Sequence, residues 1–423
     1  MEGEHFEIVE LLGVTIFNLF TGHRPWAKSL EYRDFRILWG STAIHSLAMG
    51  MEQVAMAWLI IDMTDSPFLV GVAVAARMAP MFFLGILAGA MADWLDRRVF
   101  LPIATAMASI VAGAMAALLI TNSTAPWHVI VLAGCSGSAM AFVMTIRQAY
   151  AFDIVGPKLS LNGLALNMVA LQVGGIVGGL LAGALIALIG MGMQYIVISI
   201  AYVAAALVLL SLSARVHDSS PERETVLQSF KGALQLIRTN RTILTLMCMV
   251  AVTEVLAFSQ LTLLPVFAKD VLDVGPLGLG AMNGARQAGG MVGLLALAGL
   301  GNFRRKGLLL FLTNALTGFG QLIFYVTPDL ITFLLVLAAV NACLMAADTL
   351  YKTIMQENVS NDERGRAMGC WILSIGVAPV GHISIGAVAS VLSARVAFLI
   401  FGGTMAAATI GSFLTMKNIR NME

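Results

Sequence analysis

Apolar runs of about 20 residues, separated by short polar breaks, recur from residue 36 to residue 416 of this chain. A helix rising 1.5 Å per residue needs about 20 apolar residues to cross roughly 30 Å of hydrocarbon. On that measure the pattern predicts helices over residues 36–61, 68–92, 99–121, 127–150, 163–189 and 193–213. After a polar stretch it resumes over 242–268, 277–300, 307–326, 329–351, 366–391 and 395–416. The short breaks make successive helices antiparallel neighbours. The chain therefore reads as an all-α membrane protein with 12 transmembrane helices, in six-helix bundles at 30–213 and 241–416 joined by a cytoplasmic linker at 214–240 and closed by a tail at 417–423. Residues 1–29 stand apart: the apolar stretch from Ile8 to Phe20 is too short to cross and reads as an interfacial amphipathic helix.

Composition agrees with the pattern. Hydrophobic residues make up 59% of the chain and charged residues 12%, and mean hydropathy is +0.87, outside the balance of a soluble domain. A net charge of +1 gives no basic field for nucleic acid. Lys and Arg gather in the N-terminal segment, in the loops after spans 2, 4, 6, 8 and 10, and in the tail, whereas the opposite loops carry only Lys269 and Arg395. The positive-inside rule then puts both termini and the linker in the cytoplasm, with the protein in the cell (inner) membrane. No cleavable leader pattern opens the chain. Cys135, Cys248, Cys343 and Cys370 fall singly within spans, so neither a metal site nor any other cofactor is expected.

The second bundle echoes the first. Gly71 to Arg77 (GVAVAAR) at the head of span 2 matches Gly280 to Arg286 (GAMNGAR) at the head of span 8, and each span then reaches a basic turn. A duplicated half suits a secondary transporter, in which two bundles rock about a midplane site.

The turn between spans 2 and 3 reads Gly89-Ala-Met-Ala-Asp93-Trp-Leu-Asp96-Arg97-Arg98. It resembles the loop signature of the major facilitator superfamily. Arg147-Gln148-Ala-Tyr-Ala-Phe-Asp153, Asp362-Glu-Arg364-Gly365-Arg366 and Ser66-Pro67-Phe-Leu-Val-Gly71 are most similar to the branch holding the enterobactin exporter and macrolide-efflux proteins. The resemblance implies the major facilitator fold, with two pseudo-symmetric six-helix bundles, and a cytoplasmic latch. In that latch Asp93 would meet the start of span 11 near Arg364 and Arg366, and Arg97 or Arg98 would pair with Asp153. The second-half copy, Gly301-Asn302-Phe303-Arg304, has no acid in the matching place. In span 5, Gly174, Gly178, Gly179 and Gly183 allow close helix approach. They resemble the glycine-rich exporter motif, with Gly179 where its proline would stand.

A charge in hydrocarbon costs about 3 kcal/mol, so ionisable residues inside spans are functional candidates. Glu52 and Glu254 lie at near-equivalent places in spans 1 and 7 and, with Asp348 of span 10, are the candidate proton-coupling groups. Arg77 and Arg286 have three readings: a pair with Glu52 or Glu254, attraction of an anionic substrate, or snorkelling to the interface. His45, Gln53, Gln260, Asn283, Gln287 and His382 complete the candidate substrate cavity. No phosphate-binding loop, zinc-protease motif or nucleophile elbow is present, which argues against an ATPase or a hydrolase. The expectation is a proton-coupled exporter of an amphipathic small molecule, drug-like or a siderophore, working in the bilayer by alternating access and functional as a monomer. Uptake or facilitated passage of a metabolite or lysolipid is the alternative, and an intramembrane enzyme the remote one.

Overall fold

The computed structural model describes residues 25–94, 96–213, 226–301, 303–360, 363–420 and 422. Among the described residues every element is a helix. Eight helical segments are long and apolar enough to cross a membrane. One of them, Pro126–Leu209, has 84 residues and would reach about 126 Å if straight. It is broken at Gly156 (φ 70°) and Gly190 (φ 79°), values that glycine reaches without the steric cost a Cβ brings. Divided there it yields three spans, bringing eight to ten, and Gly275–Gly299 and Lys306–Ile323 bring ten to twelve.

Spans 1 to 6 are thus Arg33–Thr64, Pro67–Trp94, Arg97–Ile120, 126–155, 157–189 and 191–209. Spans 7 to 12 are Arg241–Val271, Gly275–Gly299, Lys306–Ile323, Leu330–Glu357, Arg364–Val391 and Ala394–Thr415. Side chains stop the frayed ends: Asp96, Asn240, Asp329 and Ser393 accept from the first-turn amides of spans 3, 7, 10 and 12. The side-chain carboxylate of Asp329 is held below the usual range by the Thr332 amide and hydroxyl. The linker and span 7 differ from the sequence expectation. The linker contains a helix, Val226–Thr239, and span 7 is irregular: its α-helix ends at Leu256 and gives way to 3-10 turns over Phe258–Leu263. The interfacial helix expected near the N-terminus lies outside the described residues, which open on a 3-10 turn, Pro25–Glu31.

Buried apolar side chains fall into three clusters. The largest runs through both halves on the face away from the termini, joining Met51 to Ile61 and Val70 of the first half to Val266, Phe267, Phe333 and Phe398 of the second. On the terminus face each half keeps its own cluster, around Phe35, Leu101 and Tyr150 in one and around Ile243, Leu350 and Met355 in the other. The halves therefore share one core on one face and hold two separate cores on the other. Large apolar side chains such as Ile110, Leu188, Ile331 and Val391 point away from the protein, where hydrocarbon solvates them.

Candidate substrate and coupling site

Four charged side chains are buried among the described residues: Glu52, Arg77, Arg147 and Glu254. Two of them pair. Arg77 Nη2 lies 3.5 Å from Glu52 Oε2, and the Tyr202 hydroxyl of span 6 donates to the same oxygen at 2.6 Å. The His45 ring, two turns from Glu52 on the same face of span 1, sits 5.1 Å from that of Tyr202. Arg77 is thus paired rather than snorkelled. Gln53, next along span 1, is half-buried.

In the second half, Glu254 occupies the last turn before span 7 breaks. It is 5% exposed, with no hydrogen-bond or ion-pair partner among the described residues. Span 11 breaks at the same level, between Ile375 and Ala378, and a Cβ on its Gly381 would stand 2.7 Å from the Val255 backbone. Irregular backbone at membrane depth needs side-chain partners. Gln321 Nε2 supplies one, donating to the Ala257 carbonyl at 3.2 Å. Beside the break, His382 Nδ1 and Thr262 Oγ1 share a bond of 2.9 Å, and Gln260 Nε2 donates to Asn341 Oδ1 at 3.3 Å. Asp348 is engaged on two sides, by Lys352 at 2.7 Å and by the Trp371 indole at 3.1 Å. Arg286, half-buried, donates to Asn283 Oδ1 at 3.2 and 3.1 Å rather than to Glu254.

Span 5 lies between spans 1 and 8. A Cβ on Gly174 would strike Ser46 and one on Gly178 the Leu47 carbonyl, both on span 1. On its other side Gly175 and Gly179 meet Gln287 and Asn283, and a Cβ on Gly183 would lie 2.5 Å from the Pro276 carbonyl. Span 2 meets span 11 in the same manner, with Gly386 close against Pro67. Lys269, at the end of span 7, donates to Asp65 at 2.6 Å and to the Ile61 carbonyl at 3.1 Å. These contacts between halves run from the face away from the termini to mid-helix.

The family described as "Transmembrane secretion effector", a branch of the major facilitator superfamily, matches residues 24–423. This chain belongs to that family. The staphyloferrin A transporter of Staphylococcus aureus is 22% identical over 372 residues, 87% of this chain and 92% of the relative. The multidrug efflux pump Tap of Mycobacterium tuberculosis is 25% identical over 371 residues, 85% of this chain and 88% of the relative. Among solved structures, the nucleoside transporter NupG superposes with a TM-score of 0.72 at 16% identity, covering 90% of this chain and 99% of that one. A bacterial homologue of the human lysosomal transporter Spinster, inward-facing and occupied, gives 0.71 at 14%, covering 94% and 99%. The chain is accordingly a multi-pass integral membrane protein and a secondary transporter of small molecules, not an enzyme.

Of the facilitator loop signature, Arg97 is placed against Asp153, tying the start of span 3 to the end of span 4. Arg98 is half-buried, and its amide bonds Asp96. The Asp93 side chain lies outside the described residues. Arg364 is exposed, and Arg366 packs beside Gly232 of the linker helix. Lys306 of span 9 meets Glu357 of span 10 at 2.6 Å. That pair repeats the Arg97–Asp153 tie in the second half, with Glu357 in the place of Asp153. Sequence reasoning also missed Tyr202 and the buried Thr253–Asn314–Tyr351 hydrogen-bond group. Polar residues inside apolar spans were the available signal.

Proposed function

We propose that this transporter exports an amphipathic small molecule, a drug-like compound or a siderophore, in exchange for protons. Its termini face the cytoplasm of the cell whose inner membrane it spans. Glu254 carries this reading. It is a buried carboxyl with no hydrogen-bond or ion-pair partner among the described residues, set where spans 7 and 11 both break, and irregular backbone of this kind marks binding sites at the midplane of secondary transporters. The functions for which the two relatives are named, staphyloferrin A transport and multidrug efflux, favour the substrate class. In this reading Glu254 binds and releases the proton, while Glu52, engaged by Arg77 and Tyr202, holds span 1 to spans 2 and 6. The merged core and the Lys269–Asp65 contact belong to a state closed to the outside and open to the cytoplasm.

The test is movement of a panel of fluorescent amphiphiles into sealed vesicles under an imposed pH gradient. Native protein should concentrate at least one compound, Glu254→Gln should carry it only down its own gradient, and Glu52→Gln should keep any residual transport pH-coupled. Gradient-driven transport that survives Glu254→Gln removes the proposal.

A further inference from the structure

The fourth buried charge, Arg147, takes part in none of the ion pairs of its half. It lies on span 4 and is 5% exposed. Its Nε, Nη1 and Nη2 are all shut from solvent and without a hydrogen-bond partner. A guanidinium has five N–H donors and no acceptor, so leaving all of them unmet inside a membrane protein is costly. Among the described residues of this half, Glu52 is committed to Arg77 and Tyr202, Asp153 to Arg97, and Asp34 to Ser213, while Asp62 and Asp65 face Lys269 and Asp96 caps span 3.

Arg147 lines a cavity between spans 1, 4 and 5 that also has His45 and Asn167 in its wall. Both of these are buried with an unmet nitrogen, Nδ1 of His45 and Nδ2 of Asn167. The Asn167 oxygen is turned toward the Thr42 hydroxyl at 3.5 Å, leaving the amide nitrogen as the unused group. Five unsatisfied nitrogens on three residues, four of them obligate donors, therefore meet in one cavity. The rest of its wall is largely apolar and includes Met144 and Met168. Met168 is exposed, and it shares a face of span 5 with Gly175 and Gly179, the residues that meet span 8. The cavity thus opens on the gap between the halves.

We infer that this cavity receives the carboxylate of an amphipathic substrate, with Arg147 and Asn167 donating to its oxygens and the apolar stem lying along the methionines. The geometry requires an acceptor-only, negatively charged group, which is what a planar guanidinium binds best. The inference deepens the proposed function by naming the substrate class as organic anions. Its test needs no gradient, so loss of proton coupling leaves it standing.

The experiment titrates the purified full chain in maltoside detergent with dansyl-aminoundecanoic acid and with its methyl ester, which has the same stem and no charge. Native protein should bind the acid more tightly than the ester by about tenfold or more, as expected of a hydrogen-bonded charge. Arg147→Gln should bring the two probes to equal affinity while ester binding stays at the native value, which also reports that the variant is folded. Asn167→Asp, which supplies Arg147 with an internal carboxylate, should raise the melting temperature and likewise abolish the preference for the acid. It decides the matter if Arg147→Gln does not fold. Equal binding of acid and ester by native protein overturns the inference. So does a preference that survives either variant, or stabilisation by chloride or sulfate alone without any preference for the acid, since that would make this an inorganic anion site.

Discussion

The buried pair in the first half makes a quantitative prediction. At the 3.5 Å separation of Arg77 and Glu52, Coulomb attraction at an effective dielectric of about 20 is roughly 5 kcal/mol, much of it offset by the cost of desolvating both groups. Removing one partner forfeits the attraction and strands the other charge, so Arg77→Met should destabilise by about 3–5 kcal/mol, and Glu52→Gln by a similar amount. The second variant keeps an oxygen to accept from Tyr202 but leaves Arg77 alone, with its Nη1 already unmet. The double variant removes both charges and should recover to within about 1–2 kcal/mol of native, giving a coupling of several kcal/mol between sites. Unfolding of the purified protein in lipid nanodiscs, read from the midpoint in a chemical denaturant series, measures each corner of the cycle. Additive losses in the double variant would show that the two groups do not stabilise each other and would refute the reasoning.

Two further outcomes follow from the contact between the halves. A Cβ on Gly280 would lie 2.7 Å from the Gly179 carbonyl and 3.1 Å from the Gly183 Cα, backbone atoms that cannot rotate aside, so Gly280→Leu should force spans 5 and 8 apart. Spin labels at the exposed positions Met63 and Asp273 should then report a longer distance than in native protein, and an unchanged distribution would contradict the prediction. Lys269→Ala removes the contact to Asp65, itself an exposed group, and should cost no more than about 1 kcal/mol. That shifts the balance between open and closed forms by about fivefold or less, and the same labels should show a minor population growing without replacing the closed one.

The spans were legible in the sequence because the bilayer imposes a length and a polarity on each of them independently. Packing partners were less so. Arg77 and Arg286 occupy matching places in the repeat, yet one pairs with Glu52 and the other with Asn283, a choice set by helix rotation and tilt that a linear pattern does not carry. Arg147 was read as part of a signature at the end of span 4. It stands nine residues before the Gly156 kink, about 13 Å along a helix, which is deep enough to be removed from the interface. The breaks in spans 7 and 11 were hidden for a different reason. Both lie within apolar runs, and the residues that compensate them, Gln321 for the freed Ala257 carbonyl among them, come from other helices.

The distribution of charge bears directly on how such a molecule can move. The ion pairs Arg77–Glu52, Arg97–Asp153, Lys306–Glu357 and Lys352–Asp348 each lie within one half. Contact between the halves rests on the shared apolar core and on close backbone approach at glycines, joined by the Phe68–Ser390 hydrogen bond and the partly exposed Lys269–Asp65 pair. In hydrocarbon there is no hydrophobic force between helices, so such contacts hold by van der Waals packing and part at low cost. A rocking motion can therefore separate the halves without breaking a buried ion pair, and each half can travel as a rigid body. Signals that bias the motion must then act through charges not already satisfied inside a half. Of the four buried charges, Glu254 and Arg147 alone lack an ion-pair or hydrogen-bond partner among the described residues, which is why the proposed proton falls to the acid of the second half and the proposed anionic substrate to the cation of the first.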